Sequence, residues 1–183
     1  MNTAPALAQG NPLWEYVVWA YAEPGVEKAS LSLQNTAGAD VNMVLFCCWL
    51  AYRGTAPAHL GKYLGAALKI SREWQGNLVG PLRTARTHLK TVIETGTLVG
   101  NERAAAAGLR ERVKQCELEM EQLQVVSLYA LVTDGGGESE RAPSEQEDDA
   151  LSNLKLYFAA AGLTLDPMGL VYVMRVLTAL FGA

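Results

Sequence analysis

Residues 11–50, NPLWEYVVWAYAEPGVEKASLSLQNTAGADVNMVLFCCWL, decide the fold. Asn11 and Pro12 form a strong helix start, because Asn caps the helix and Pro sits at its first position with φ already set. Pro24-Gly25 ends that helix, and Asp40 caps a later one. The stretch therefore predicts three short helices, which must pack on one another because helices of this length are marginal alone.

The third of these helices carries an apolar stripe typical of a buried helix. Its spacing is i, i+3, i+4, i+7, i+8, and Gly54 follows its end. The members of the stripe are Val41, Val44, Leu45, Cys48, Trp49 and Tyr52.

Two later segments share a second rhythm, in which apolar residues recur at steps of 4, 3, 4 and 3. The first set is Leu78, Leu82, Ala85, Leu89 and Val92, and the second is Leu109, Val113, Cys116, Met120 and Leu123. Such a rhythm is the seam of helices packed at a shallow angle. Because only residues 96–101 connect the two segments, we predict an antiparallel hairpin.

The whole chain is predicted to be an all-α, single-domain bundle of about seven helices. Residues 1–10 are predicted to be disordered, and residues 134–149 to form a flexible acidic loop. The later helices are expected at about 58–74, from 76–81 to 95, and at 102–132, 148–161 and 167–181. Asp166-Pro167 repeats the cap-plus-proline pattern at the start of the last helix. No segment alternates with a period of two over a useful length, so no sheet is expected.

Charge and cysteine content limit the classes of function. The net charge is −4, and residues 134–149 carry −6 of it, so the remaining chain is mildly basic at +2. This balance disfavours a general nucleic-acid binder. Three Cys residues without metal spacing indicate reduced thiols in a cytosol, and neither a signal peptide nor a membrane span is expected.

Gln34, Asp40 and Asn42 lie around the second turn and form the first candidate site. They could line the mouth of a small pocket. The alternative is structural: Asp40 caps the third helix, Gln34 finishes the second, and Asn42 bonds a loop carbonyl.

Arg83, Arg86 and Lys90 form the second candidate site, because steps of 3 and 4 place them on one helical face. We hypothesise that the two arginines bind an anion or an acidic partner, since a guanidinium can donate two parallel hydrogen bonds. The alternative is a solvated face that the acidic loop partly neutralises.

The remaining candidates favour structural roles. His59 and His88 lack companions at metal-ligand spacing, and Cys47-Cys48 are interpreted as small buried apolar residues. We therefore predict no catalytic residue, no metal and no cofactor. The last helix, 167–181, is apolar nearly all round, so it is expected to be central or to dock on a partner, including a second copy.

Residues 11–50 also resemble the N-terminal signature of a proteobacterial family of conserved hypothetical proteins without an assigned activity. The resemblance extends to about residue 130 and implies a bacterial cytoplasmic protein, but it transfers no catalytic residue. The matching residues are Asn11-Pro12-Leu13-Trp14, Tyr21, Pro24-Gly25-Val26, Leu31, Leu33-Gln34, Gly38, Asp40-Val41-Asn42, Leu45-Phe46-Cys47, Trp49-Leu50, Trp74, Pro81-Leu82-Arg83, Arg86 and Lys90.

Three classes of function remain open at this stage. An interaction or adaptor protein that uses the basic face or the last helix is placed first. A helical module that binds a small anionic or apolar ligand is second. An enzyme whose site the sequence does not reveal is third.

Overall fold

A computed structural model describes residues 8, 10–55, 57–96, 98–132 and 140–182. Helices and their connections make up this described part, without any strand, so the predicted all-α bundle is confirmed. No helix in it is long and apolar enough to cross a membrane. The helices are α1 (Pro12–Ala22), α2 (Val26–Ala37), α3 (Val41–Tyr52), α4 (Pro57–Trp74), α5 (Gly80–Glu94), α6 (Asn101–Tyr129), α7 (Pro143–Ala161) and α8 (Pro167–Phe181).

The predicted helix starts are confirmed by their capping bonds. The Asn11 side chain accepts the backbone N–H of Trp14 at 3.0 Å, and Pro12 opens α1. The Asp40 side chain accepts from Asn42, and that of Asp166 accepts from Gly169. Each bond satisfies an N–H that a helix end would leave unpaired.

Helix α3 forms the centre of the bundle. Every residue from Asn42 to Ala51 is buried, so α3 is buried on all sides along this length. The prediction was wrong for Tyr52, the last member of the stripe, which is 49% exposed at the end of α3. Helices α1, α2, α4, α6 and α7 all pack against it. Because water reaches no face of residues 42–51, nearly every one of these positions is apolar.

Helices α4 and α5 form one continuous rod, which corrects the prediction of two helices separated near residues 76–81. A π turn, Gln75–Val79, joins them, and the Gly80 N–H donates to the carbonyl of Gln75. Proline inside a helix lacks an N–H and collides with the carbonyl four residues earlier. The π turn widens the helix just before Pro81, so the rod passes the proline without a break.

Helices α5 and α6 form the predicted antiparallel hairpin. Arg83 bonds Glu121 while the later Arg86 bonds Glu117, so the two helices run in opposite directions. The predicted seam is buried only in part: α5 has no fully buried residue, α6 has none before Glu117, and the seam positions Leu78, Leu109 and Cys116 are exposed. The outer half of the hairpin is therefore held mainly by contacts between its own two helices.

Two predicted disordered or flexible segments are corrected in part. Helix α7 begins at Pro143, and the Glu145 carboxylate accepts the Ala142 N–H at 3.0 Å, so residues 143–149 are helical and not part of an acidic loop. Residues 134–139 lie outside the described residues. In the N-terminal stretch, Ala8 is buried, while residues 1–7 and 9 lie outside the described part.

Helix α8 is not fully central. It packs one face on α2 and α7, where Val173, Val176 and Leu177 are completely buried. Its other face leaves apolar side chains in solvent: Met168, Leu170, Val171 and Met174 are 56%, 39%, 43% and 36% exposed.

The π turn offers a matched pair of glycine substitutions. A Cβ at Gly80 would collide with the Gln75 carbonyl oxygen, whereas a Cβ at Gly76 would meet nothing within 4 Å. We expect Gly80→Ala to lower the free energy of unfolding by about 1–3 kcal/mol, because the turn must shift. Gly76→Ala should leave it unchanged or raise it by about 0.5 kcal/mol. Urea unfolding followed by circular dichroism measures both, and equal effects would contradict this account of the turn.

Candidate functional site

Asp40 is the hub of a buried polar network. Its side chain accepts the Asn42 backbone N–H at 3.0 Å, the Ser71 hydroxyl at 2.6 Å, the Gln75 amide at 3.3 Å and the Gln124 amide at 2.5 Å. These donors come from α3, α4, the π turn and α6. A carboxylate has about four lone-pair positions, so the described protein groups already occupy them.

Further hydrogen bonds tie the donors to one another. The Gln124 carbonyl oxygen accepts from Asn42 Nδ2 at 3.0 Å and from Gln75 Nε2 at 2.9 Å. Asn42 also donates to the backbone carbonyl of Glu121 at 3.4 Å. This carbonyl lies inside α6, so the predicted bond from Asn42 to a loop carbonyl was wrong. The network is closed, which holds its side chains in one arrangement.

Burial dominates the titration of this hub. Loss of solvation raises the pKa of the Asp40 carboxyl above its usual range, although the hydrogen bonds from Ser71, Gln124, Asn42 and Met43 act in the opposite direction. The carboxyl is nearly buried, and its oxygens are taken by protein donors. Its role is to position its neighbours.

Tyr157 of α7 bonds the backbone of Asp40 and also lines a cleft beside it. The Asp40 backbone N–H donates to the Tyr157 hydroxyl oxygen at 2.9 Å. The tyrosine is 2% exposed, and burial is the largest cause that raises its pKa, so the phenol keeps its proton. No described residue accepts the hydrogen of this hydroxyl.

A cleft of about 500 Å³ lies over the hub, and we call it the Asp40 cleft. Ligand sites of small molecules are commonly of this size. The end of α2, the rod formed by α4 and α5, and the end of α7 surround it. Its lining residues are Gln34, Gly38, Ala39, Asp40, Leu68, Ser71, Arg72, Gln75, Gly76, Gly80, Arg83, Tyr157, Ala161 and Leu163.

The Asp40 cleft combines apolar walls with a few polar groups. Leu68 and Leu163 supply apolar wall, and glycine positions leave backbone surface open. Among the described residues, the exposed side chain of Arg72 has no ion-pair partner, and the Gln34 side chain has no hydrogen-bond partner. These two side chains, the Tyr157 hydroxyl and the side-chain carbonyl oxygen of Gln75 are side-chain groups of the cleft without a described partner for at least one of their hydrogen bonds.

Arg83 and Arg86 are paired inside the protein. Arg83 contacts Glu117 at 2.9 Å and Glu121 at 2.8 Å, and Arg86 contacts Glu117 at 2.5 Å. The Glu117 side chain is only 7% exposed, so α6 brings a nearly buried carboxylate to this pair. Two acids of α6 thus neutralise both arginines, and no described residue of the predicted acidic loop pairs with them.

The predicted site residues lie in four different places. Gln34, Asp40 and Arg83 line the Asp40 cleft. Asn42 lies behind Asp40 in the network, and Arg86 lies outside the cleft with Glu117. The exposed Lys90 is 3.8 Å from Glu94 on its own helix and takes no part in the cleft.

Sequence reasoning missed most of the partners. The sequence contains a weak indication of two of these pairs. Ser71 and Gln75 are one helical turn apart, as are Glu117 and Glu121, so each pair shares one helical face. Matching them to Asp40 and to the arginines requires the register between helices, which no local pattern provides. The missed residues are Ser71, Gln75, Glu117, Glu121, Gln124 and Tyr157.

The cysteine and histidine candidates do not line the Asp40 cleft. Cys47 and Cys48 are fully buried, as predicted, and burial raises the pKa of Cys48 to about 12, which leaves it an unreactive thiol. His88 is exposed on α5. Among the described residues, no cluster of three or more His, Cys, Asp or Glu could hold a metal ion.

One comparison with known proteins gives a match. The model of the family described as "Protein of unknown function (DUF2390)" matches residues 12–128, which span α1 to nearly the end of α6. No curated protein and no solved structure is significantly similar to the chain. The match covers α3, the rod and the hairpin, and it ends before α7 supplies Tyr157.

Two aspartate caps allow the hub to be tested. Asp40→Ala removes the acceptor of four buried donors, so we expect a loss of about 3 kcal/mol or more in the free energy of unfolding. Asp166→Ala removes an exposed cap with a single bond and should cost about 1 kcal/mol. Urea unfolding of both variants measures the difference. A loss at Asp40 no larger than at Asp166 would show that the network adds nothing to the cap.

Glu121 should make stability depend on pH. Burial, the largest cause, raises its pKa from 4.5 to about 6, while Arg83 opposes this shift. The folded chain therefore binds more protons than the unfolded chain between these values, and stability falls as pH rises through them. Because 29% of the side chain is exposed, we expect a decline of about 1 kcal/mol.

The measurement is the free energy of unfolding between pH 4 and 7, on the order of one point per half unit. Glu121→Gln should remove this part of the decline, whereas Glu119→Gln, an exposed position on the same helix, should keep it. Parallel curves for the wild type and Glu121→Gln would contradict the raised pKa.

Proposed function

We propose that this chain, which belongs to the DUF2390 family of proteins of unknown function, binds a small ligand in the Asp40 cleft. The observation that carries the proposal is the Tyr157 hydroxyl. It is buried, it lines the cleft, and its hydrogen has no acceptor among the described residues. A buried hydroxyl takes its acceptor from whatever fills the space next to it.

The rigidity of the cleft floor supports the same proposal. Ser71 and Gln75 line the cleft and are fixed by their bonds to Asp40. Gln75 is also held by Gln124 from the opposite helix. A site whose walls are already ordered loses little conformational entropy when a ligand binds, which favours affinity in a small cleft.

Binding is a better interpretation of this geometry than catalysis. Asp40 is the carboxylate in the cleft lining, and its oxygens are occupied by protein donors. Tyr157 is the other titratable acid there, and its raised pKa keeps it protonated. A general base needs a free lone pair within reach of its substrate, and neither group supplies one in this arrangement.

The adaptor role, placed first from the sequence, has one observation in its favour. The outer face of α8 exposes Met168, Leu170, Val171 and Met174. Nothing among the described residues indicates what would cover that face. The cleft has defined walls, a defined volume and unused polar groups, so it carries the proposal.

For the location of the protein, we propose the cytoplasm of a bacterium. The buried free thiols of Cys47 and Cys48 fit a reducing compartment. The bacterial origin rests on the resemblance of residues 11–50 described above.

A blocked cleft tests the function directly. Ala161 lines the Asp40 cleft, whereas its neighbour Ala160 is exposed and does not. We expect fragments from a screening library to bind the wild type, to lose binding with Ala161→Phe and to retain it with Ala160→Phe. Ligand-observed NMR measures the binding, and circular dichroism confirms that both variants are folded.

Two results would contradict the proposed function. The first is that no fragment binds the wild type. The second is that the fragments that do bind are unaffected by Ala161→Phe.

A further inference from the structure

Arg72 is the cationic group of the Asp40 cleft that the described protein leaves unpaired. It follows Ser71 on α4, so it lies beside the buried hub, but its own side chain is exposed. No described carboxylate lies within ion-pair distance of it. Arg83, the other arginine of the lining, already contacts Glu117 and Glu121.

Two of the available groups of the cleft are donors only. The Arg72 guanidinium and the Tyr157 hydroxyl can only donate here, because the oxygen of Tyr157 already accepts from Asp40. The Gln34 amide can both donate and accept, and the Gln75 side-chain carbonyl oxygen can accept. A ligand that satisfies the two donor-only groups therefore carries acceptor oxygens, as a carboxylate or a phosphate does.

The hydrogen bonds of Asp40 determine where an anion can lie. Its carboxyl on the buried floor takes the donors of Asn42, Ser71, Gln75 and Gln124, so these donors are not free for an anion there. Arg72 is at the exposed rim, where a guanidinium can hold a carboxylate or phosphate through two parallel hydrogen bonds. The walls between rim and floor include Leu68, Ala161 and Leu163, which suit an apolar body.

We propose that the ligand of the Asp40 cleft is an organic anion whose charged group binds Arg72 at the rim and whose apolar part lies against Leu68 and Leu163. This inference rests on the proposed function, since it names the chemical class of the ligand in the same cleft. It also moves the anion site from Arg83 and Arg86, where the sequence placed it, to Arg72. The arginine without an internal carboxylate partner has no ion pair to break when it binds an external one.

Three probes of nearly the same shape separate charge from shape. Benzoate, benzamide and benzylamine share one ring and differ in carrying a negative, a neutral or a positive group. NMR titration of the full chain with each probe gives its affinity. We expect benzoate to bind at least about tenfold more tightly than benzamide, because a hydrogen bond to a charged group is stronger than one to a neutral group, and benzylamine to bind most weakly.

Matched variants assign the preference to Arg72. Arg72→Gln should bring the affinity for benzoate down to that for benzamide, since it removes the charge and keeps an amide donor. Lys69→Gln removes an exposed charge from the same helix outside the cleft lining, so it should preserve the benzoate preference. Phenyl phosphate, run in parallel, distinguishes a phosphate-selective site from a carboxylate-selective one, and tighter binding of either anion than of benzamide supports the inference.

Two outcomes overturn the inference and leave the proposed function standing. In the first, the anions bind no more tightly than benzamide, or do not bind, while Ala161→Phe still abolishes fragment binding. In the second, Arg72→Gln leaves the anion preference unchanged. If no fragment binds the wild type, the result is a different one, and it contradicts the proposed function itself.

Discussion

The buried carboxylate of Asp40 is the constraint on which the arrangement of the helices depends. One side chain caps α3 and at the same time accepts bonds from α4, the π turn and α6. Its backbone N–H engages α7 through Tyr157. Burying a charge is costly unless every part of it is hydrogen-bonded, so these elements cannot shift relative to one another without exposing an unpaired group. The same requirement shapes the floor of the cleft.

Much of this architecture could be predicted from local sequence. The caps at Asn11, Asp40 and Asp166 mark helix starts because a side-chain oxygen beside an apolar periodic run satisfies the first free N–H groups. The apolar run after Asp40 predicts a buried helix, and α3 is buried on all sides because five helices surround it. The common rhythm on either side of residues 96–101 predicts the hairpin, since only two helices of matching phase can share such a seam.

The site was harder to predict because it is built from pairs far apart in sequence. The spacing of Arg83 and Arg86 correctly indicates one helical face, but it cannot reveal that Glu117 and Glu121 lie opposite. Polar residues such as Ser71 and Gln75 resemble solvated positions until the partner helix is placed. Composition also gave a wrong prediction at residues 143–149, where the acidic residues suggested a loop. These residues form the first turns of α7. Negative charge is favourable at the start of a helix.

The π turn, Gln75–Val79, has a consequence for the rotational phase of the rod. An α-helix advances by about 100° per residue, so a chain one residue shorter here would turn α5 by about that angle relative to α4. Arg83 and Arg86 would then rotate away from α6 and their carboxylates, while Ser71 would still face Asp40. The orientation of the ion pairs relative to the cleft is therefore set by the number of residues in the π turn and not by any single side chain.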